Sequence, residues 1–347
     1  MRKDQIDGLA ISSLGLGPDG SAFLAAHFGL SLSWVEDVCL GGASAIAALR
    51  RAISAIQSGH AETVACIAGD GFSKEQFQKN IAEFSSRTAR SIYPYGGAGP
   101  NLVFAMITRA YMEQYGAQRE DFGRVCIAQR ENASFNPHAL FQKPLTMEEY
   151  LHARPVAEPL HLYDCVPPCA GAEGFLVTTT ERARALNVPY VEVLASEENC
   201  NALPDESVQL HGGWDAFRDR LYERAAVGPR DMDFVQTYDD YPVMTFQQLE
   251  GLGFCDTGSG FEFVRKHSLT CTGGGLPMNT CGGQLSAGQA GFAGGFLGVV
   301  ESIRQLIGCP LGRQVPRARL GLVSGFGMVD YDRGLCSAAA ILRRADS

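Results

Sequence analysis

The stretch VEDVCLGGASAIAALRRAISAIQSG, residues 35–59, decides the fold of this chain. A short extended run ends at Cys39, a tight Gly41-Gly42 turn follows, and a helix with an apolar face comes next. The apolar face consists of Ile46, Leu49, Ile53 and Ile56. Cys39 is therefore predicted at a strand–helix junction, where backbone N–H groups and the helix dipole favour a thiolate. This placement predicts a nucleophilic cysteine, although a buried structural cysteine would fit the same residue type.

The composition is that of a globular protein with a sizeable core, since 46% of the 347 residues are hydrophobic and 19% are charged. The net charge of −9 argues against a nucleic acid or an anionic membrane as a partner. No apolar run reaches the length of a transmembrane helix, and the first residues do not read as a signal peptide.

The eleven cysteines lie mostly in apolar segments, without the spacing of a disulfide framework. They predict reduced thiols in a cytoplasm-like compartment, so we expect a cytoplasmic protein. Cys165 and Cys169 form the closest pair, but no second pair and no histidine spacing accompany them. We therefore predict no metal site and interpret this pair as structural or incidental.

The second half of the sequence repeats the first. Residues 278–308 resemble the opening stretch, with a cysteine, a Gly-Gly pair, a Ser-Ala pair and a helix that ends at glycine. Residues 319–327 likewise resemble residues 63–71, where an apolar strand leads into a glycine-flanked loop. The chain is therefore predicted to form two similar α/β halves, 1–187 and 188–347, each built on a parallel sheet. The two glycine-rich helix starts would face a shared cleft.

Two features break the symmetry of the halves. Residues 119–160 are predicted to form a long excursion of short helices and exposed loops, which is usually functional. The second half also begins with a strand at 190–195 and a helix at 214–226, and these have no counterpart at the start of the first half. We therefore expect the first N-terminal strand and helix of the fold to be missing from this chain, which would leave an unpaired apolar edge.

The paired halves, the CLGGASA helix start at 39–45 and the NTCGGQLSAG segment at 279–288 resemble the thiolase superfamily. Within it, three segments are similar to the branch of sterol-carrier-protein-type thiolases and lipid-transfer-protein-like enzymes. These segments are ENASFNP at 131–137, EPLHLYDC at 158–165 and QTYDDYPVMTFQQLEGLGFC at 236–255. The resemblance covers nearly the whole chain.

The resemblance implies a duplicated thiolase fold of the α/β class with five layers, αβαβα, which is usually dimeric and acts on acyl-CoA thioesters. It implies coenzyme A as a co-substrate, no bound cofactor, and Cys39 as the thiol that accepts the acyl group. Members of the branch often associate with a small zinc-ribbon and OB-fold protein that helps to form the acyl-CoA channel. A homodimer and such a partner protein are therefore expected for this chain.

Three motifs of the family are altered here. The thiolase Gly-His-Pro loop corresponds to Gly-Gln-Ala at 288–290, so Gln289 stands in place of the histidine. The branch's His-Asp-Cys-Phe motif corresponds to Tyr-Asp-Asp-Tyr at 238–241, and the C-terminal Cys-x-Gly corresponds to Val-Ser-Gly at 323–325. Glutamine can donate a hydrogen bond to an oxyanion but cannot take up a thiol proton. The usual proton carriers of a thiolase are therefore absent.

The remaining candidates form a smaller set. The Gly325 N–H would complete an oxyanion hole with the Cys39 N–H. The predicted residues for substrate and CoA binding are Asn279, Ser286, Gly288 and Asp239. Asp239 and Asp240 are neighbours that would point in opposite directions on a strand, so they are not expected to share a proton. Tyr331 lies beyond the last glycine loop, and packing at the surface of the last strand pair fits it better than a place in the cleft.

Two mechanisms stay open. In a thiolase, Cys39 attacks the β-keto carbon of a 3-oxoacyl-CoA, Asn279 or Gln289 holds the departing enolate, and CoA releases the acyl group. In a retro-aldolase, Tyr238 moves the protons while a 3-hydroxyacyl-CoA is cleaved, and no acyl-accepting cysteine is needed. Retention of Cys39 favours the thiolase, the interpretation we adopt. A third possibility is a non-catalytic thiolase-like subunit that supports an active paralogue, because a fold does not guarantee its chemistry.

Overall fold

The computed structural model describes residues 2–17, 19–71, 90, 93–97, 99–330 and 333–345. Tyr331 and residues 72–89, 91, 92 and 98 lie outside the described residues. Within the described residues, no helix combines the length and apolar character needed to cross a membrane.

The chain alternates strands and helices in both halves. The strands are β1 (Gly8–Ser12), β2 (Trp34–Asp37), β3 (Thr63–Asp70), β4 (Pro155–Ala157), β5 (Leu160–His161), β6 (Gly171–Thr178), β7 (Val191–Cys200), β8 (Phe234–Gln236), β9 (Leu320–Val329) and β10 (Gly334–Arg344). The helices are α1 (Gly20–Phe28), α2 (Ser44–Gln57), α3 (Pro100–Tyr115), α4 (Arg119–Ala133), α5 (Met147–Leu151), α6 (Thr180–Ala185), α7 (Arg218–Ala225), α8 (Pro242–Gly251), α9 (Gly260–Lys266), α10 (Gly283–Ala287) and α11 (Ala293–Ile307).

Two four-stranded sheets organise these elements. The first has the order β2-β1-β3-β6, and the second has the order β7-β10-β9-β8. The prediction of purely parallel sheets was wrong, because β6 runs antiparallel to β3 and β10 runs antiparallel to both β9 and β7. For β9 and β10 the reason is the short connection between them, since parallel neighbours need a crossover of a dozen or more residues.

The sheets repeat each other strand by strand. In the first sheet β1 lies parallel to β2 and β3, and in the second β8 lies parallel to β9 and forms an isolated parallel bridge from Val235 to Met278. β7 covers the outer side of β10 in the second sheet, whereas no described strand pairs with the outer side of β6 in the first. The expectation of a missing N-terminal strand and helix stays a prediction.

The helices α2 and α11 form the middle layer. They pack against each other and against strands of both sheets, while α1 packs on β1 and β2 and α7 packs on β7 and β10. The side of α2 that is buried between the sheets is largely alanine, and small side chains allow this close approach. Its buried alanines are Ala45, Ala47, Ala48, Ala52 and Ala55. This arrangement confirms the five-layered αβαβα thiolase fold.

The excursion at 119–160 was predicted to consist of short helices and exposed loops, and the structure differs from this prediction. Its first part is α4, a helix of 15 residues with a largely buried surface. α4 packs on α8, α9 and α10 from the second half of the sequence, and Phe122 stacks on Phe246 with ring centroids 5.0 Å apart. The division of the chain at residues 187 and 188 stays a prediction.

Candidate active site

Cys39 lies at the predicted junction between strand and helix. It follows the end of β2 by two residues and precedes a single 3-10 turn, Gly41–Ala43, that leads into α2. The Leu40 N–H donates a 2.9 Å hydrogen bond to the Ser44 Oγ, which fixes the turn to the first residue of the helix. The Cys39 side chain is exposed. The local geometry therefore leaves its thiol open to a reactant.

The electrostatic surroundings of Cys39 oppose a thiolate. Partial burial raises the pKa of the Cys39 thiol, and the carboxylates of Asp37 and Asp70 raise it further. Asp70 is held in place by the Ser13 hydroxyl at 2.6 Å and by the Phe292 N–H at 2.9 Å. The structure therefore does not favour the predicted thiolate, because partial burial and two negative charges stabilise the neutral thiol.

The turn after Cys39 packs tightly against β9 and Tyr238. A Cβ added at Gly42 would lie 2.0 Å from the Cε2 of Tyr238 and 2.4 Å from the carbonyl oxygen of Phe326. One added at Gly325 would lie 2.6 Å from the carbonyl oxygen of Gly42. Glycine is needed at both positions because backbone and ring approach so closely. The turn, the middle of β9 and the Tyr238 ring thus converge.

Tyr238 is held from both its backbone and its hydroxyl. Its N–H donates to the Oε1 of Gln248 at 2.8 Å, and its carbonyl accepts from the Nε2 of Gln248 at 2.7 Å. The Nε2 of Gln289 donates to the Tyr238 hydroxyl oxygen at 3.3 Å and also to the Asp240 carboxylate. Tyr238 is buried, whereas Asp240 and Gln289 are half-buried. The structure therefore brings Tyr238 and Gln289 together.

Asp240 is a member of this cluster that the predicted site lacked. Burial raises the pKa of Asp240 to about 7, Asp239 adds to the rise, and a hydrogen bond from Tyr238 opposes it. Burial also raises the pKa of Tyr238 well above its usual range, and the charge of Asp240 and its hydrogen bond with the phenol add to that rise. A carboxyl group that titrates near neutral pH is suited to acid–base chemistry. The only signal in the sequence was its place two residues after Tyr238.

Asp239 has different partners from Asp240. Its Oδ1 accepts from the Gln284 N–H at 3.0 Å and its Oδ2 accepts from the Leu285 N–H at 3.2 Å, so it lies at the start of α10. Burial raises the pKa of Asp239 to about 6, and these backbone hydrogen bonds oppose the rise. The two neighbouring carboxyl groups therefore have separate hydrogen-bond partners, and the absence of a shared proton stays a prediction.

The other residues predicted to bind substrate also have internal partners. Asn279 accepts from the Thr237 N–H at 2.7 Å, and Ser286 accepts from the Nε of Arg130 at 3.2 Å. Both side chains are buried, at 2% and 1% exposure, as is Asp239 at 1%. These contacts favour a positioning role for all three over the direct substrate contact that the sequence predicted.

Gly288 and the CVPPC segment place Gln289. Gly288 has φ of +117°, and a Cβ there would lie 2.9 Å from the Cys169 Sγ. The Gln289 N–H donates to the Pro167 carbonyl, and the Cys169 N–H donates to the Gln289 carbonyl, both at 2.9 Å. The segment that the sequence interpreted as structural or incidental therefore fixes the backbone of a candidate site residue. The sequence could not predict this role, because the segment is far from Gln289 along the chain.

Cys39 is not joined to the cluster by a hydrogen bond. None of the described hydrogen bonds links its thiol to Tyr238, Gln289 or Gly325. Among the described residues, no group of three or more histidine, cysteine or acidic side chains is arranged to hold a metal ion. The site therefore offers a phenol, a carboxyl group, an amide and glycine backbone as its chemical groups.

Comparisons with known proteins agree with this fold. A family model described as Thiolase C-terminal domain-like matches residues 213–341. The 17-hydroxy-3-oxo-4-pregnene-20-carboxyl-CoA lyase of Mycobacterium tuberculosis is 33% identical over an alignment of 321 positions, which covers 87% of this chain and 81% of that protein. Sterol carrier protein 2 of Oryctolagus cuniculus is 28% identical over an alignment of 318 positions, which covers 86% of this chain and 57% of that protein.

A solved structure, "Ltp2-ChsH2(DUF35) aldolase", superimposes with a TM-score of 0.85 at 27% sequence identity and covers 99% of this chain and 88% of that one. Identity of 33% to the lyase across most of both chains, together with the duplicated five-layered fold, establishes the family. The chain belongs to the thiolase superfamily, in the branch of sterol-carrier-protein-type thiolases and lipid-transfer-protein-like enzymes.

Proposed function

We propose that this chain is a retro-aldolase that cleaves the bond between C2 and C3 of a 3-hydroxyacyl-CoA, with Tyr238 as the acid–base residue. The observation that carries the proposal is the cluster in which the Nε2 of Gln289 donates to both the Tyr238 hydroxyl and the Asp240 carboxylate. A retro-aldol reaction needs a base for the substrate hydroxyl and an acid for C2. The cluster supplies both without a histidine or a second cysteine.

The proton path follows from the order of the groups. The proton of the substrate's 3-hydroxyl moves to the Tyr238 oxygen as the phenol proton moves to the Asp240 carboxylate. The C2–C3 electron pair stays on C2 as the enolate of the acyl-CoA, and C3 leaves as the carbonyl carbon of a ketone or aldehyde. The proton then returns from Asp240 through Tyr238 to C2. Gln289 keeps the phenol oriented and does not titrate.

The enolate oxygen needs hydrogen-bond donors. The backbone N–H of Cys39 stays our candidate donor for this oxyanion hole. The N–H of Gly325 is not available for it, because Gly325 is in register with Ala338 and its N–H faces β10 in the strand ladder. In this mechanism the thiol of Cys39 takes no part in bond cleavage. Its raised pKa is compatible with that role, because a neutral thiol is a poor nucleophile.

The substrate class rests on the lyase from Mycobacterium tuberculosis. Its name describes a carboxyl-CoA on C20 and a hydroxyl on C17, the neighbouring carbon, so the hydroxyl is β to the thioester carbonyl. A CoA thioester with that arrangement is a 3-hydroxyacyl-CoA. The aldolase structure includes a DUF35 protein, which fits the small partner expected for this chain. The partner, the homodimer and the cytoplasmic location are parts of this proposal.

The test incubates the chain with a panel of 3-hydroxyacyl-CoAs in the absence of free CoA. It is run once with the chain alone and once with a co-expressed DUF35-type partner. We expect a ketone or aldehyde and a shortened acyl-CoA in equal amounts, and no acyl group on Cys39. The corresponding 3-oxoacyl-CoAs, tested in the presence of free CoA, should not be cleaved. Cleavage of oxo substrates only would overturn the retro-aldolase.

A thiolase reaction is the second candidate, and the exposure of the Cys39 thiol ahead of α2 favours it. It requires the thiolate to attack the 3-oxo carbon and therefore predicts an acyl thioester on Cys39 in the absence of CoA. Intact-protein mass spectrometry after mixing with a 3-oxoacyl-CoA distinguishes the two reactions. Absence of both activities, with substrate and partner present, would support the non-catalytic subunit.

A further inference from the structure

A second pair of cysteines lies apart from the candidate active site, on neighbouring strands of the second sheet. Cys200 at the end of β7 is directly opposite Cys336 on β10, and their Sγ atoms are 2.9 Å apart. The Asn201 N–H donates to the Leu335 carbonyl at 2.6 Å beside them. In an antiparallel ladder this makes Cys200 and Cys336 a non-hydrogen-bonded pair, in which the side chains approach most closely.

We propose that Cys200 and Cys336 are a redox modification site, where a low-molecular-weight disulfide converts the two thiols into a reversible cross-strand disulfide. The strand register carries this proposal. Non-hydrogen-bonded partners have Cα atoms about 4.5 Å apart, and disulfides span about 4.4–6.8 Å between Cα atoms. The bond can therefore form without moving either strand.

The reaction proceeds by two exchanges. The Cys200 sulfur attacks oxidised glutathione, forms a mixed disulfide and releases one glutathione thiol. The Cys336 sulfur then attacks the Cys200 sulfur and releases the second glutathione. Two protein thiols are oxidised, one glutathione disulfide is reduced, and the two protein protons end on the two glutathione thiols.

Exposure decides the order of these exchanges. Cys200 is exposed and can meet a solute, whereas Cys336 is buried. Burial raises the pKa of the Cys336 thiol, and its hydrogen bond with Cys200 raises it further. Cys336 is therefore the resolving cysteine, which reacts only with the sulfur beside it.

The position of Cys336 links this pair to the active-site turn. On its other side Cys336 is in register with Gly327 of β9. A Cβ at Gly327 would lie 2.2 Å from the Leu40 carbonyl oxygen and 2.6 Å from the Gly42 nitrogen. The disulfide would therefore tie β7 to the strand that flanks the glycine segment of β9.

The test treats the native protein with oxidised glutathione, blocks remaining thiols with iodoacetamide, and maps the peptides by mass spectrometry. We expect one cross-linked pair, Cys200 with Cys336, at two hydrogens less than the sum of its peptides, and its loss on addition of dithiothreitol. The exposed thiol of Cys309 serves as an internal control, since it should carry a glutathione adduct and no cross-link.

Two variants sharpen the result. Cys336→Ala should keep glutathione on Cys200, because no resolving thiol follows, and Cys200→Ser should leave Cys336 unmodified. In guanidinium chloride the selectivity should vanish and scrambled pairs should appear. The proposal is overturned if native wild type carries glutathione on Cys200 with no link to Cys336, or if its cross-links are as scrambled as those of the denatured chain.

Discussion

The side-chain amide of Gln289 lies 3.3 Å from the hydroxyl oxygen of Tyr238 and donates a hydrogen bond to it. The same nitrogen also donates to Asp240 and lies 3.3 Å from the Oε1 of Gln284. Because Gln289 is a donor toward the phenol oxygen, the phenol's own proton is left for an acceptor, and Asp240 is that acceptor. Glutamine at the position of the thiolase histidine therefore turns the tyrosine toward a carboxylate.

Tyr238→Phe removes the hydroxyl and keeps the ring that packs on Gly42. We expect kcat for 3-hydroxyacyl-CoA cleavage to fall by about 100- to 10,000-fold, the range for loss of general acid–base catalysis. The matched control is Tyr222→Phe, which removes a buried hydroxyl that donates to the Leu252 carbonyl. The control should cost about 1 kcal/mol of stability and leave kcat unchanged. A Tyr238→Phe enzyme with near-normal kcat would remove Tyr238 from the mechanism.

The pH dependence of cleavage should report Asp240. Its charged form accepts the phenol proton, and burial raises the pKa of this carboxyl group to about 7. Activity should therefore rise with pH through about 7, because the base is lost as Asp240 becomes protonated below that pH. The measurement is kcat/KM from pH 5 to 9. A flat profile across neutral pH would contradict the assignment.

Asp240→Asn should separate catalysis from stability. A carboxyl group whose folded pKa is raised destabilises the fold above that pKa, where it is buried with a charge, and this cost disappears as pH falls. At pH 8 the variant should therefore unfold at the same or a higher urea concentration while kcat falls by at least about 100-fold. Asp219→Asn, at an exposed helix carboxylate, is the control and should change neither quantity. Loss of stability together with activity would indicate a structural role instead.

The sequence was sufficient to predict the turn after Cys39 and the helix that follows, because a glycine pair and a helical apolar face are local signals. It could not place Asp240 and Gln289 around Tyr238, since Gln289 is 51 positions away from the phenol that it contacts. The thiolate prediction missed contributions of two kinds. Partial burial, which raises the pKa of the Cys39 thiol most, and the carboxylate of Asp70 both depend on distant segments, whereas Asp37 lies only two positions from Cys39 in the sequence.

The helix α4 shows a second limit of sequence patterns. Its sequence, REDFGRVCIAQRENA, lacks a clean apolar stripe, yet Arg130 and Asn132 are buried in it. Arg130 donates to Ser286, and Asn132 donates to the Met278 carbonyl at 2.9 Å. These polar residues are buried because the second half of the chain supplies their hydrogen-bond partners. The periodicity of the helix sequence contains no information about those distant partners.

Cys39→Ala distinguishes the two proposed reactions within one protein. Retro-aldol cleavage should continue with little change in kcat, because only the backbone N–H of this residue is needed. In wild type, iodoacetamide should alkylate Cys39 more slowly than a cysteine in an unstructured peptide at pH 7.5, because burial and two carboxylates raise the pKa of its thiol. Mass spectrometry of the peptide that contains Cys39 measures this rate. Rapid alkylation at neutral pH, or complete loss of cleavage in the variant, would favour the thiolase reaction.

Gly42→Ala tests the convergence of the turn, β9 and Tyr238. The new methyl group would lie 2.0 Å from the Cε2 of Tyr238 and 2.4 Å from the Phe326 carbonyl oxygen, so the ring must shift. We expect a loss of about 1–3 kcal/mol of stability from overpacking, measured by urea unfolding. Cleavage should fall as well, because the displaced phenol no longer meets Gln289 and Asp240. Gly17→Ala is the matched control, since a Cβ there has no heavy atom within 4 Å, and it should change neither quantity. If Gly42→Ala kept normal stability and activity, the close packing of Tyr238 on the turn could not be what positions the phenol.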